Sequence, residues 1–189
     1  DEVGELVLSN NYRQVQAISL AQRQAVKSMA EYRRFTRNLE AQGKLNRALE
    51  FLPIDEVMTE RALSGDGLTR PELSILVSYA KADLKESLLL TTVPDDVYVS
   101  RELTTSFPVK LEKKYAQQMK EHRLNRELVA TQVANHIVNF MGINFVERLA
   151  ASTGADVGVI ARAYILVRDI FKVTETWSKI EAMDYSIES

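Results

Sequence analysis

Four prolines set the strongest constraint on this chain. Pro53, Pro71, Pro94 and Pro108 each stand between apolar-periodic segments or just inside the start of one, and none interrupts a periodic run. Proline lacks a backbone donor and clashes with the preceding helical turn, so this placement leaves the stretches between prolines free to be helical. The periodicity there is helical too. Val15, Ile18, Ala25, Met29, Tyr32 and Leu39 follow steps of three and four, with Gln22 and Thr36 filling the seam. That spacing predicts a heptad-like helix from Tyr12 to Gln42, with room for a break near Gln24–Ser28 and a stop at Gly43. Such a seam packs either inside its own domain or against a second helix of a coiled coil or subunit.

Further signals divide the rest into helices. Asp55 is placed to cap a short helix reaching Leu63. Thr69 and Glu72 form a T-x-x-E capping box with Pro71 in the first turn. That box opens a helix over Arg70–Leu89, whose face is Leu73, Leu76, Val77, Ala80, Leu84 and Leu88. Ile75 lies off that face, which argues for burial on more than one side. A short helix is expected over Val97–Phe107, and Pro108 restarts the chain into "VKLEKKYAQQMKEH". Asn125 is placed to cap a helix running to Met141, with Gly142 as its stop. "INFVERLAAS" follows, then "VGVIARAYILVRDIF" behind an Asp156 cap. This last run is apolar nearly all round and is expected to be central. A final helix begins at Thr174 and should pack through Trp177, Ile180 and Tyr185. The expected fold class is all-α: one compact helical domain over 1–189, a bundle of roughly eight to ten helices with short loops and no significant sheet. Residues 1–45 read as a long helix or helix pair leading in, and 46–189 as the main bundle.

The chemistry searched for in this sequence is mostly missing. There are 189 residues and no cysteine, so disulfides, thiolate metal sites and cysteine nucleophiles are excluded. The two histidines, His122 and His136, fall on different expected helices, and neither an H-E-x-x-H nor an E-x-x-H metal pattern occurs. No glycine fingerprint follows a strand, and the "SGDG" loop lacks the Lys-Ser/Thr of a phosphate cradle. The net charge is -2, and the basic run from Lys110 to Arg126 is interleaved with Glu112 and Glu121, which reads as a solvated face rather than a nucleic-acid footprint. No apolar run reaches the roughly 18 residues of a membrane span. The acidic start "DEVGELVLSN" is no signal peptide. It lacks an initiator Met, and the chain is expected to be a piece of something longer. No catalytic, cofactor-binding or metal-ligating residue is therefore assigned.

One polar cluster stands out. In "ATQVANHIVNFMG", Gln132, Asn135 and Asn139 form an amide stripe with His136 beside it. Amides do not titrate usefully, but they donate and accept at once. Buried on a helix face they would need partners, so the stripe is expected to tie this helix to a neighbouring helix end or loop, with a ligand pocket as the alternative. On that reading Asn135→Leu should cost roughly 1–3 kcal/mol through stranded partners.

Four collinear stretches also resemble one family. They are "DEVGELVLSNNYRQVQAISLA"; "LNRALEFLP" with "GLTRPELSILVSYAKADLKESLL"; "HRLNRELVATQVANHIVNFMGINFVERL"; and "TGADVGVIARAYILVRDIF". Together they cover nearly the whole chain and look like the C-terminal region of the large bacterial NAD-specific glutamate dehydrogenases. The resemblance implies a cytoplasmic, homo-oligomeric parent that deaminates L-glutamate oxidatively to 2-oxoglutarate and ammonium, with NAD as cofactor. It implies that the dinucleotide fold and the catalytic lysine and aspartate lie upstream. This region would then be a non-catalytic scaffold for the core and its assembly. The alternatives are an amino-acid effector-sensing module of the same enzyme, or a helical adaptor for a partner helix. Its expected partners are the upstream core and other copies of the enzyme, not nucleic acid or membrane.

Overall fold

The computed structural model describes residues 2–183. Nine α-helices follow one another: α1 (Glu2–Gln24), α2 (Met29–Ala41), α3 (Asp55–Leu63), α4 (Arg70–Leu89), α5 (Val109–Lys120), α6 (Asn125–Met141), α7 (Phe145–Thr153), α8 (Val157–Ile170) and α9 (Val173–Glu181). Two 3-10 segments, Val93–Asp95 and Val99–Ser106, link α4 to α5. No strand occurs among the described residues. The all-α expectation holds, although 3-10 turns replace the single short helix expected over Val97–Phe107. Tyr185, expected to pack the last helix, lies outside the described residues.

The α4–α6 pair is the centre, and it is the most extensive packing in the molecule. The six α4 face residues read from the sequence are all buried. The capping box is formed in full: Thr69 accepts from the Glu72 backbone, and the Glu72 carboxylate accepts from Thr69 N–H at 2.7 Å. Glu72 also pairs with Arg61 on α3 at 2.9 Å, so the cap fastens two helices as well as starting one. Opposite α4, helix α6 buries Val129, Ala130, Val133, Ala134, Ile137 and Val138. α6 also touches α1, α7, α8 and both 3-10 segments.

The heptad seam divides. Residues 25–28 form the break, and from Ala25 onward the seam residues Ala25, Met29, Tyr32, Thr36 and Leu39 are buried in this chain's own core. Before it, residues 2–15 include no buried side chain, and Val3, Val7, Leu8, Tyr12 and Val15 are exposed.

Three local expectations are corrected. Asp55 does not cap α3; Ile54 holds that position without a side-chain bond. The Asp55 carboxylate is taken by Arg47 at 2.6 Å and by Arg37. Arg47, itself buried, also meets Glu40 at 2.8 Å and the Pro53 carbonyl at 3.2 Å, bracing the loop between α2 and α3. Asn125 is the first residue of α6 and not its cap; its amide donates to the Lys120 carbonyl at 2.7 Å. Finally, α8 is peripheral. Ile160, Ala161, Tyr164 and Ile165 face the core, while Val159, Leu166, Val167 and Ile170 are exposed.

Candidate functional site

Helix α6 carries the four polar residues read from the sequence, and the structure separates their fates. Gln132 Nε2 donates to Ser106 Oγ at 2.9 Å, joining α6 to the end of the second 3-10 segment. Asn135 is half-buried and makes no side-chain hydrogen bond among the described residues. That removes the reason to expect stranded partners in Asn135→Leu. Asn139 places a buried Oδ1 without a partner at a crevice of about 20 Å³ between α1, α6 and α9. A space of that size holds one water and no ligand.

His136 belongs to a different cluster. Its Nδ1 lies 2.7 Å from the Tyr164 hydroxyl on α8, and its Nε2 lies 3.4 Å from Thr174 Oγ1 on α9. The ring stacks on Phe140 with centroids 4.4 Å apart, and Phe140 in turn meets Trp177 edge-on at 5.8 Å. Burial pushes the imidazole pKa down to about 3, with the positive charges of Arg168 and Arg13 adding to the effect. Burial likewise raises the Tyr164 phenol above its ordinary range. A general base works best with a pKa near the operating pH. A histidine held neutral this firmly, with both ring nitrogens engaged, is suited to joining α6, α8 and α9.

The sequence reading missed Arg168, which sits one turn beyond Tyr164. It is buried, and it binds Glu102 at 2.6 Å and Asp169 at 2.7 Å. Burial disfavours its charge, but the two carboxylates outweigh that and hold the guanidinium protonated. Asp169 also accepts from Tyr98 at 2.8 Å and pairs with Arg101 at 3.1 Å. Burial would raise its pKa; Arg168, Tyr98 and Arg101 instead lower it. The available signal was a charged pair, Arg168-Asp169, inside a run whose other charge is Arg162 alone. This network forms one wall of a cleft of about 1050 Å³ between the second 3-10 segment, α5 and α8. Every charge in the network is answered by another within the chain, so it reads as a clasp for α8.

Among the described residues no group of His, Asp and Glu is arranged to hold a metal ion. The "SGDG" loop also has a packing explanation. A side chain on Gly67 would collide with Cβ of Ala25 and crowd its backbone carbonyl carbon at 3.2 Å. The glycine therefore lets the loop lie against the α1–α2 break. A dinucleotide phosphate would instead need a strand leading into a glycine turn at a helix N-terminus. The residues of this loop do not fit NAD.

The family model described as "Glutamate dehydrogenase, C-terminal" matches residues 65–189. This chain belongs to that family. Across the family's named members the likeness extends over the whole chain. It is 55% identical over 187 residues to the NAD-specific glutamate dehydrogenase of Pseudomonas aeruginosa, covering 99% of this chain. It is 51% identical over 189 residues to that of Halomonas elongata, and 34% over 188 residues to that of Mycobacterium tuberculosis. The chain spans 12% of the length of each of these relatives. No solved structure matches it. Among the described residues no single helix is long and apolar enough to cross a membrane.

Proposed function

We propose that this chain is the non-catalytic helical region of an NAD-specific glutamate dehydrogenase, supporting the catalytic core and the assembly of the enzyme. The parent would oxidise L-glutamate to 2-oxoglutarate and ammonium with NAD, the dinucleotide and catalytic residues being supplied by the rest of the polypeptide. The observation that carries this reading is α1. A 23-residue helix buries only Ala17 and Ala21, and leaves Val7, Leu8, Tyr12 and Val15 exposed. Exposed apolar side chains on a helix segment that buries none of its residues are suited to being covered by another part of a larger protein.

The test is removal of this region from a full-length enzyme. NAD reduction with glutamate, subunit number and thermal stability would be measured before and after. At least one of assembly, stability or activity should fall, while the isolated 189-residue chain should reduce no NAD. A truncated enzyme that keeps all three properties overturns the proposal.

The cleft beside Arg168 favours one second reading, an amino-acid effector site, because its volume of about 1050 Å³ is ligand-sized. A thermal-shift screen of amino acids against the full-length enzyme and its Ser100→Trp variant, which blocks the cleft, decides it. A null screen removes that reading.

A further inference from the structure

Helix α8 shows an outward apolar stripe. Val159, Ala163, Leu166 and Ile170 recur at steps of four, three and four, with Val167 and Phe171 beside them. All but Ala163 are large, and these large residues are between 45% and 70% exposed. Ala163 is exposed as well. The opposite face of α8 is fixed to the core by Ile160, Ala161, Tyr164 and Ile165 and by the Arg168 clasp. The outer face is therefore presented on a rigid element.

From this geometry we infer that α8 is a two-fold interface, its outer stripe packing antiparallel on α8 of a second copy of this chain. The order of sizes along the helix is the reason. An antiparallel pair centred between Ala163 and Leu166 sets Ala163 against the partner's Leu166, and Val159 against the partner's Ile170. A small residue meets a large one next to the axis, which lets two helices approach to the usual 8–10 Å. The charges agree with the same register. Asp156 is exposed at the N-terminus of α8, and Lys172 is exposed just past its C-terminus. Reversing one helix brings each Asp156 beside the other copy's Lys172. Lys172 has only a long 3.8 Å contact with Glu175 to give up. Two opposed helices also set unlike dipole ends side by side. A two-fold contact must be self-complementary, and this stripe is so in both size and charge. The inference deepens the assembly part of the proposed function by naming a surface, and it does not depend on which reaction the parent performs.

The chain contains no cysteine, so a single introduced thiol reports proximity cleanly. A163C lies next to the expected axis, where two thiols come close to disulfide distance. Under mild oxidation the A163C chain should form covalent dimers at least tenfold faster than E60C, an exposed position on α3 away from the stripe. Sedimentation equilibrium of the unmodified chain should show a monomer–dimer equilibrium, and L166E should shift it to monomer with unchanged helical circular dichroism. Equal cross-linking rates at the two positions, or a chain that stays monomeric, overturn the inference. So does a full-length enzyme in which L166E lowers activity or stability at unchanged subunit number. That result would give the stripe to the rest of the same polypeptide and leave the scaffold role standing.

Discussion

The hydroxyl of Tyr164 on α8 and Nδ1 of His136 on α6 are 2.7 Å apart, with Phe140 stacked on the imidazole and Phe145 edge-on to the phenol. With the imidazole neutral, one ring nitrogen carries the proton and the other accepts, Nδ1 pairing with the Tyr164 hydroxyl and Nε2 facing Thr174 Oγ1. A second proton would make both ring nitrogens donors and place a charge near Arg168.

That arrangement makes stability depend on pH. The folded pKa of about 3 lies below the unfolded value near 6.5, so the unfolded chain takes up the proton first. The contribution of His136 is fully present above about pH 6.5 and is lost as the pH falls toward 3. Urea unfolding at pH 7, 5.5 and 4.5 should show stability dropping by roughly 2–4 kcal/mol from this group. H136Q should flatten that slope. An unchanged slope in H136Q would place the acid sensitivity elsewhere.

Two conservative changes on α6 should part company. Gln132→Leu strands the Ser106 hydroxyl, and should cost about 1 kcal/mol. Asn135→Leu strands no described partner, and should stay within about 0.5 kcal/mol of the parent chain. Thermal or urea melts of the two variants check the pair. A cost at Asn135 equal to that at Gln132 would show that the amide has a partner after all.

These two residues also show where sequence reading stops. The Thr69–Glu72 box and the α4 core face are local patterns, and each is found in the structure where the spacing put it. Partner identity is not local. Gln132 and Asn135 look equivalent on a helical wheel, yet only one meets a hydroxyl 26 residues away. Asp55 looked like a cap because it opens a helix, but Arg47 and Arg37 claim its carboxylate across a loop. For α8, all-round apolar character could mean a central helix or a peripheral one with a second partner. Periodicity measures how much surface wants covering, not what covers it. Arg168 was the signal to weigh, since a charge inside such a run calls for buried carboxylates and hence a fixed inner face.

The loop brace gives a larger effect. Arg47 joins Glu40, Asp55 and the Pro53 carbonyl from a buried position. Removing it leaves Asp55 with Arg37 alone, and partly desolvated. Arg47→Ala should cost roughly 2–4 kcal/mol, and Arg47→Lys should recover only part because an ammonium cannot make the forked contacts. Full recovery of stability by the lysine variant would show that the stem and the charge, and not the fork, are what matter.

The close approach of Gly67 to Ala25 supports a two-residue test. A methyl group on Gly67 would overlap the Ala25 side chain and press on backbone at 3.2 Å, so the α1–α2 break or the loop must move. Gly67→Ala should therefore destabilise by about 1–3 kcal/mol, the usual range for overpacking. Ala25→Gly alone should cost about 1 kcal/mol, because it frees the backbone at the helix break. Combined, the two should cost less than their sum, since removing one methyl makes room for the other. The backbone crowding remains, so the relief is partial, with a coupling of about 1 kcal/mol. Urea midpoints of the four chains in this cycle measure it. Strict additivity would mean that the loop does not rest on the break. Gly67 would then regain a claim to some role other than packing.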